Sequence, residues 1–204
     1  MGSEDWYRNT QWNDEIEGQF MAKLRRARIK EQYLRIQASI LAEIEPNVAI
    51  TLLEKYFSLE DNFDYAQAYC DYAKAFLSLG EIQKALDSYT SALKREAEFP
   101  KLLTDAYILY PLTIVQHEIE ELYTSANNVL EKNHHRLMFP VDHFKWHASK
   151  ALIEHKAGNK VEASSHAEQA LIAAKIETSG LSFHKKLGLV GKEYENMVND
   201  LRAI

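Results

Sequence analysis

The sequence is poor in everything that builds sheets, disulfides or membrane spans. Its 204 residues contain one cysteine, Cys70, so no intramolecular disulfide can form, which fits a reducing compartment. Seven glycines and four prolines are few for the many turns of a stranded fold. The β-branched residues do not gather in alternating runs, which argues against sheet. The longest apolar run, Tyr107 to Val115, is too short to cross a bilayer and contains Pro111. The start of the chain is polar and acidic, with no apolar stretch of secretory type. These absences predict an all-α chain in the cytoplasm, off the membrane. No Gly/Ser/Pro-rich linker divides it, so one domain over residues 1–204 is expected, long enough to bury about 70% of its unfolded surface.

Positive charge is scarce except in one place. Lys23, Arg25, Arg26, Arg28, Lys30 and Arg35 put six bases within thirteen residues, against the single acid Glu31. The net charge of −6 therefore divides into this patch and a remainder at −11. The patch has no interleaved aromatics to stack bases, so it reads as a solvated helix face, and no nucleic-acid partner is expected. An acidic chain suits a partner protein with a basic surface.

What the sequence has in quantity is helical periodicity. Thr10 or Asn13 can cap a first helix whose opening turn holds Asp14, Glu15 and Glu17, at the positive end of the helix dipole. Trp12, Ile16, Phe20, Leu24 and Ala27 form its apolar stripe. Helical hairpins are then predicted over about 31–62, 66–100, 101–137 and 141–177, with capping segments at 1–30 and 178–204. In the first hairpin, Tyr33, Ile36, Ile40, Leu41 and Ile44 line one helix, and Pro46 can open the next, where its missing N–H costs nothing. Ala49, Leu52, Leu53, Tyr56 and Phe57 line that second helix. In the third, Pro111 should kink the first helix and free the carbonyl of Tyr107. In the fourth, Phe144, Ala148, Ala151 and Leu152 make one stripe, while Trp146 and Ile153 point elsewhere. That second direction is either another packing surface or an aromatic lining of a binding groove, since Trp is enriched at binding hot spots.

The second hairpin has the strongest pattern. Tyr69, Tyr72, Ala73 and Phe76 face Ala85, Leu86, Tyr89, Ala92 and Leu93 across a turn at Leu79-Gly80. Small residues allow close approach, and Gly80 supplies a left-handed turn position. With Tyr69, Ala73, Phe76, Gly80, Ala85, Tyr89 and Ala92 at these spacings, Ala66 to Pro100 resembles a tetratricopeptide repeat, although Pro100 falls three residues late. Gly80 and Gly158 are 78 residues apart, two periods of about 39. The resemblance implies a right-handed α-α superhelix of about four such hairpins, flanked by N- and C-terminal helices. It also implies that first helices line a concave groove, where this chain places Gln67, Cys70, Lys74, Leu77 and Ser78. Trp146 and Ile153 are the corresponding candidates in the fourth hairpin. Lys74 alone does not make the basic pair that clamps a C-terminal carboxylate in chaperone-binding members.

Chemistry is hard to assemble from the remaining residues. Six of eight histidines lie between His134 and His166, and His143 and His147 are spaced i, i+4. A zinc protease needs Glu after the first of the pair, where Phe144 stands, and no third ligand is evident. These histidines are expected as surface groups that gain charge in mild acid, with no metal bound. Cys70 lies mid-helix without an activating neighbour, so it is not read as a nucleophile. Glu120 and Glu121 lie on an exposed face with no acid/base division. The stretch SGLSFHKKLGLVG has the wrong glycine spacing for a phosphate loop. It reads as the lead into a covering helix, or as a partner-contacting loop. The expected function is therefore non-enzymatic, without cofactors: a module binding a protein or peptide, as an acidic neutraliser of the immunity or antitoxin kind, or as an adaptor. The alternative is a peptide-responsive sensor whose curvature changes on binding, which exposed aromatics along a narrow groove would favour.

Overall fold

The structure, a computed structural model, describes residues 5–59 and 64–204. Among these residues there are ten α-helices and no strand, and adjacent helices pack in pairs. The end of the hairpin expected over 31–62 and the first residues of the segment 1–30 lie outside the described residues. No described helix is long and apolar enough to cross a membrane. Contacts divide the chain into two compact units, Met1–Ala106 and Tyr107–Ile204. No linker marks the boundary, which falls within the first turn of a helix.

The first unit begins with α1 (Asp14–Arg26). Asn13 caps it, its side-chain oxygen accepting from the Ile16 amide at 2.9 Å. Helices α2 (Lys30–Leu41) and α3 (Pro46–Phe57) pair, and Pro46 does open α3. The buried face of α2 differs from the predicted stripe. Leu34, Gln37, Ala38 and Leu41 are inside, Tyr33, Ile36 and Ile40 are half-buried, and Ile44 is exposed. The reason is Gln37, whose side chain is fully buried with both its oxygen and its nitrogen bonded to Asn9. Its amide nitrogen donates to the Asn9 carbonyl at 2.7 Å, and its oxygen accepts from the Asn9 amide at 2.9 Å. That exchange fastens residues 5–12 across α2, with Trp6 tilted against Phe20 and Tyr33.

Helices α4 (Tyr65–Ser78) and α5 (Ile82–Glu98) form the second pair, joined at Gly80 with φ +73°. A side chain there would be strained, which is why the turn takes glycine. Ala73, Ala85 and Ala92 are fully buried, so the helices approach closely at these positions. Helix α4 also packs on α3 and α2, and Tyr69 stacks on Phe57 at 4.7 Å. It is therefore buried on more than one face.

The second unit comprises α6 (Ala106–Gln116), α7 (Tyr123–Asn133), α8 (Pro140–Lys156), α9 (Lys160–Ala174) and α10 (Glu195–Arg202). Helix α6 runs on through Pro111 to Gln116. The Tyr110 hydroxyl bonds Ser125 Oγ of α7 at 3.1 Å. Helices α8 and α9 turn at Gly158, with φ +82°. Phe144, Ala148 and Ala151 of α8 meet Ala167, Ala170 and Ala173 of α9, and α10 covers both with Met197 and Leu201.

Candidate functional site

In the first unit α2 and α4, the leading helices of two successive pairs, lie side by side. Polar groups tie them along their length. Ser39 Oγ donates to Asp71 Oδ1 at 2.9 Å, and Arg35 Nη1 contacts Asp71 Oδ2 at 3.3 Å. Arg35 Nε reaches Asp64 at 3.3 Å, and Lys74 Nζ pairs with Glu43 at 3.1 Å. Asp71 is only 5% exposed. Burial raises its pKa above the ordinary carboxylate value, and Arg35, Ser39 and Gln67 act against that rise. Burial is the larger effect, so the ion pair only partly offsets the cost of enclosing the charge.

The groove candidates of α4 divide between this surface and the interior. Lys74 and Ser78 are exposed, and Ser78 Oγ donates to the Lys74 carbonyl at 3.1 Å. Gln67 and Leu77 are half-buried, and the Gln67 amide reaches Asp71 at 3.5 Å. Cys70 is different: it is 6% exposed, and not the half-open groove residue the sequence suggested. Burial first, then Asp71, Glu96 and Asp105, push its thiol up to about 12 against a hydrogen bond with Thr104. It is a protonated interior group at neutral pH, which agrees with reading it as no nucleophile.

Trp146 and Ile153 are likewise inside, at 5% and 8% exposed. Of the two readings left open by the sequence, the second packing surface is the one that holds. Trp146 Nε1 donates to the Leu130 carbonyl of α7 at 3.0 Å. Next to it, Lys150 is buried with its ammonium on Asn127 Oδ1 at 2.6 Å and Glu131 Oε1 at 2.8 Å, and Glu154 lies 3.9 Å away. The face of α8 turned toward α7 is thus an indole and a neutralised cation.

His134, His135, His143 and His155 are exposed as expected, but His147 and His166 are not independent surface groups. His147 Nδ1 and His166 Nδ1 are 3.0 Å apart, joining α8 to α9, and both rings lie edge-on to Trp146. One ring must donate and the other accept, so the bond requires at least one neutral imidazole. Burial, then the charges of His166, His143 and His134, bring His147 down to about 4. Burial and Lys150 lower His166, against Glu154 and Glu131. The pair is therefore uncharged at neutral pH and resists charging in mild acid, contrary to the sequence expectation. Because the His147 pKa lies below the unfolded value of 6.5, its contribution to stability is complete above pH 6.5 and is lost as pH falls toward about 4. The urea midpoint should decline across that window, and His147→Gln should flatten the decline; an unchanged slope would remove His147 as its source. Among the described residues no group of three His, Cys, Asp or Glu is placed to hold a metal ion.

The glycine-rich stretch before α10 holds Phe183, at 95% the most exposed large apolar residue among those described. No sequence pattern measures such exposure; the signal was an aromatic among glycines and lysines. No family model matches the chain, and no curated protein or solved structure matches it significantly.

Proposed function

We propose that this chain is a protein-binding module that grips a partner without chemistry of its own. The observation that carries the reading is the side-by-side placement of α2 and α4, with Lys74 and Ser78 of α4 exposed and Gln67 and Leu77 half-buried beside them. Leading helices of successive pairs presenting one continuous surface are what the resemblance to tetratricopeptide repeats implies, and a stack of hairpins uses such a surface for recognition. The α2/α4 surface is ordered beforehand by the Arg35–Asp71, Ser39–Asp71 and Lys74–Glu43 contacts, which lowers the entropy lost when a partner docks. The net charge of −6 favours a basic partner and a salt-sensitive association, as for an acidic neutraliser or adaptor. With Trp146 and Ile153 inside, those two residues do not supply the exposed lining that a peptide sensor called for.

The test is affinity capture from the source lysate at low and moderate salt, run in parallel with Ser78→Arg, which adds bulk and like charge for a basic partner, and with a control change on the exposed side of α9, Val161→Ser. One basic protein retained in stoichiometric amount, released by salt, and lost only from the α4 variant is the expected result. A partner held equally by all three chains, or no stoichiometric partner, overturns the reading.

A further inference from the structure

The segment between α9 and α10 is built to project. Ser179 Oγ donates to the His184 carbonyl and the Ser179 amide to the Lys185 carbonyl, both at 2.7 Å. The Val141 amide donates to the Gly188 carbonyl at 2.9 Å. Gly188, at φ +71°, sits so close to Phe139 that an added Cβ would lie 2.5 Å from its ring. These contacts fasten both ends of the stretch Leu181–Leu187 and leave its tip outward. Leu181, Phe183 and Leu187 are all exposed. No acid occurs from Thr178 to Lys192, while Lys185 and Lys186 follow Phe183 after His184. A fixed apolar tip with a cationic collar is a contact feature, because water gains nothing from a held, fully exposed phenyl ring.

The same unit carries a feature of opposite shape and charge. A cleft of about 550 Å³ has Leu152, Met197 and Ile204 among its lining residues and Glu118, Glu193 and Asp200 on its walls. Lys156 also lines it, but that ammonium is engaged by Glu118 at 3.4 Å and Glu120 at 3.3 Å. Glu193 and Asp200 stand outside that pairing. None of residues 178–192 lines the cleft, so the chain's own tip does not fill it. Its volume lies within the range of about 300–1,000 Å³ typical of occupied pockets.

We propose that the occupant is a second copy of this chain, with Phe183 of one copy inserted into the Leu152–Met197–Ile204 cleft of another and Lys185 and Lys186 set against Glu193 and Asp200. The contact joins two different patches, so it is heterologous. Both halves are present on one chain and match in polarity and in charge. An anionic membrane would engage the apolar tip and its lysines but would leave the acidic cleft without a role. The inference is independent of the α2/α4 surface, which contributes nothing to it.

Sedimentation equilibrium of the full chain, from micromolar to millimolar, tests it. The expected mass rises above that of one copy with concentration and falls back as salt is added. Phe183→Ala should weaken association by about tenfold or more, the effect of withdrawing an aromatic anchor. The fold is not at risk, since the side chain is almost wholly in water. Glu193→Lys/Asp200→Lys should weaken it similarly. Mixing the two variants is decisive, because the first keeps an intact cleft and the second an intact tip; mixed pairs should reappear. A single-copy mass at every concentration overturns the proposal, as does association indifferent to both variants. Phe183-dependent co-sedimentation of a monomeric chain with phosphatidylcholine/phosphatidylglycerol vesicles also overturns it and assigns the tip to lipid.

Discussion

Arg35→Ala is expected to lower the unfolding free energy by about 3–5 kcal/mol, the range for removing one partner of a buried ion pair. The magnitude comes from what is left behind, since Arg35 itself is partly exposed. Asp71 is buried in α4 and keeps only Ser39 and Gln67 as partners once the guanidinium is gone. Its carboxyl, already raised by burial with Arg35 opposing, then rises further. Two consequences separate this account from a simple loss of packing. Adding Asp71→Asn to Arg35→Ala should recover most of the loss, because a neutral amide needs no counter-charge and can still accept from Ser39. The deficit should also shrink in acid, where the folded variant takes up the proton that neutralises Asp71. Urea unfolding followed by Trp6 and Trp12 fluorescence reads all three chains. A loss below about 1 kcal/mol for Arg35→Ala, or no recovery in the double variant, would show that Arg35 does not hold the buried charge.

This network also marks where sequence reading stops. The helices themselves were legible, because apolar residues at 3.6-residue spacing and glycines at Gly80 and Gly158 leave little choice of element or turn. The rotation of each helix about its axis was not. Ile36, Ile40 and Ile44 look like the core of α2, yet the buried set is Leu34, Gln37, Ala38 and Leu41. A glutamine becomes a core residue only because Asn9, 28 positions away, matches its amide. Nothing local announces that partner. Cys70 is a similar case, a groove residue by resemblance that is enclosed because α4 contacts α2, α3 and α5, and the same contacts enclose Asp71 beside it. The His147–His166 bond links residues 19 apart across a helical turn, where the spacing says nothing about convergence. Of the α4 candidates, Lys74 and Ser78 lie at the surface and Cys70 does not, because adjacent turns of one helix met different neighbours.

Helix α8 poses the same question in the second unit, and one substitution answers it. Trp146→Ala is expected to cost about 3–5 kcal/mol in urea unfolding followed by far-ultraviolet circular dichroism. The loss has three parts. A large apolar surface is removed from a site that is 5% exposed. The Leu130 carbonyl loses the donor it has at 3.0 Å. The rings of His134, His147 and His166 lose the face they lean on, and the Lys150 ammonium loses an aromatic neighbour 5.7 Å away. Trp146→Phe isolates the second part, keeping much of the apolar surface while withdrawing the N–H, and should cost about 1–3 kcal/mol. An exposed groove aromatic would behave otherwise: its removal would weaken partner capture and leave unfolding within about 0.5 kcal/mol of the native chain. The two variants therefore distinguish an interior residue from a contact residue without knowledge of the partner. If Trp146→Ala unfolds like the native chain, the packing of α7 against α8 is wrong at its centre, and with it the explanation of the neutral histidine pair.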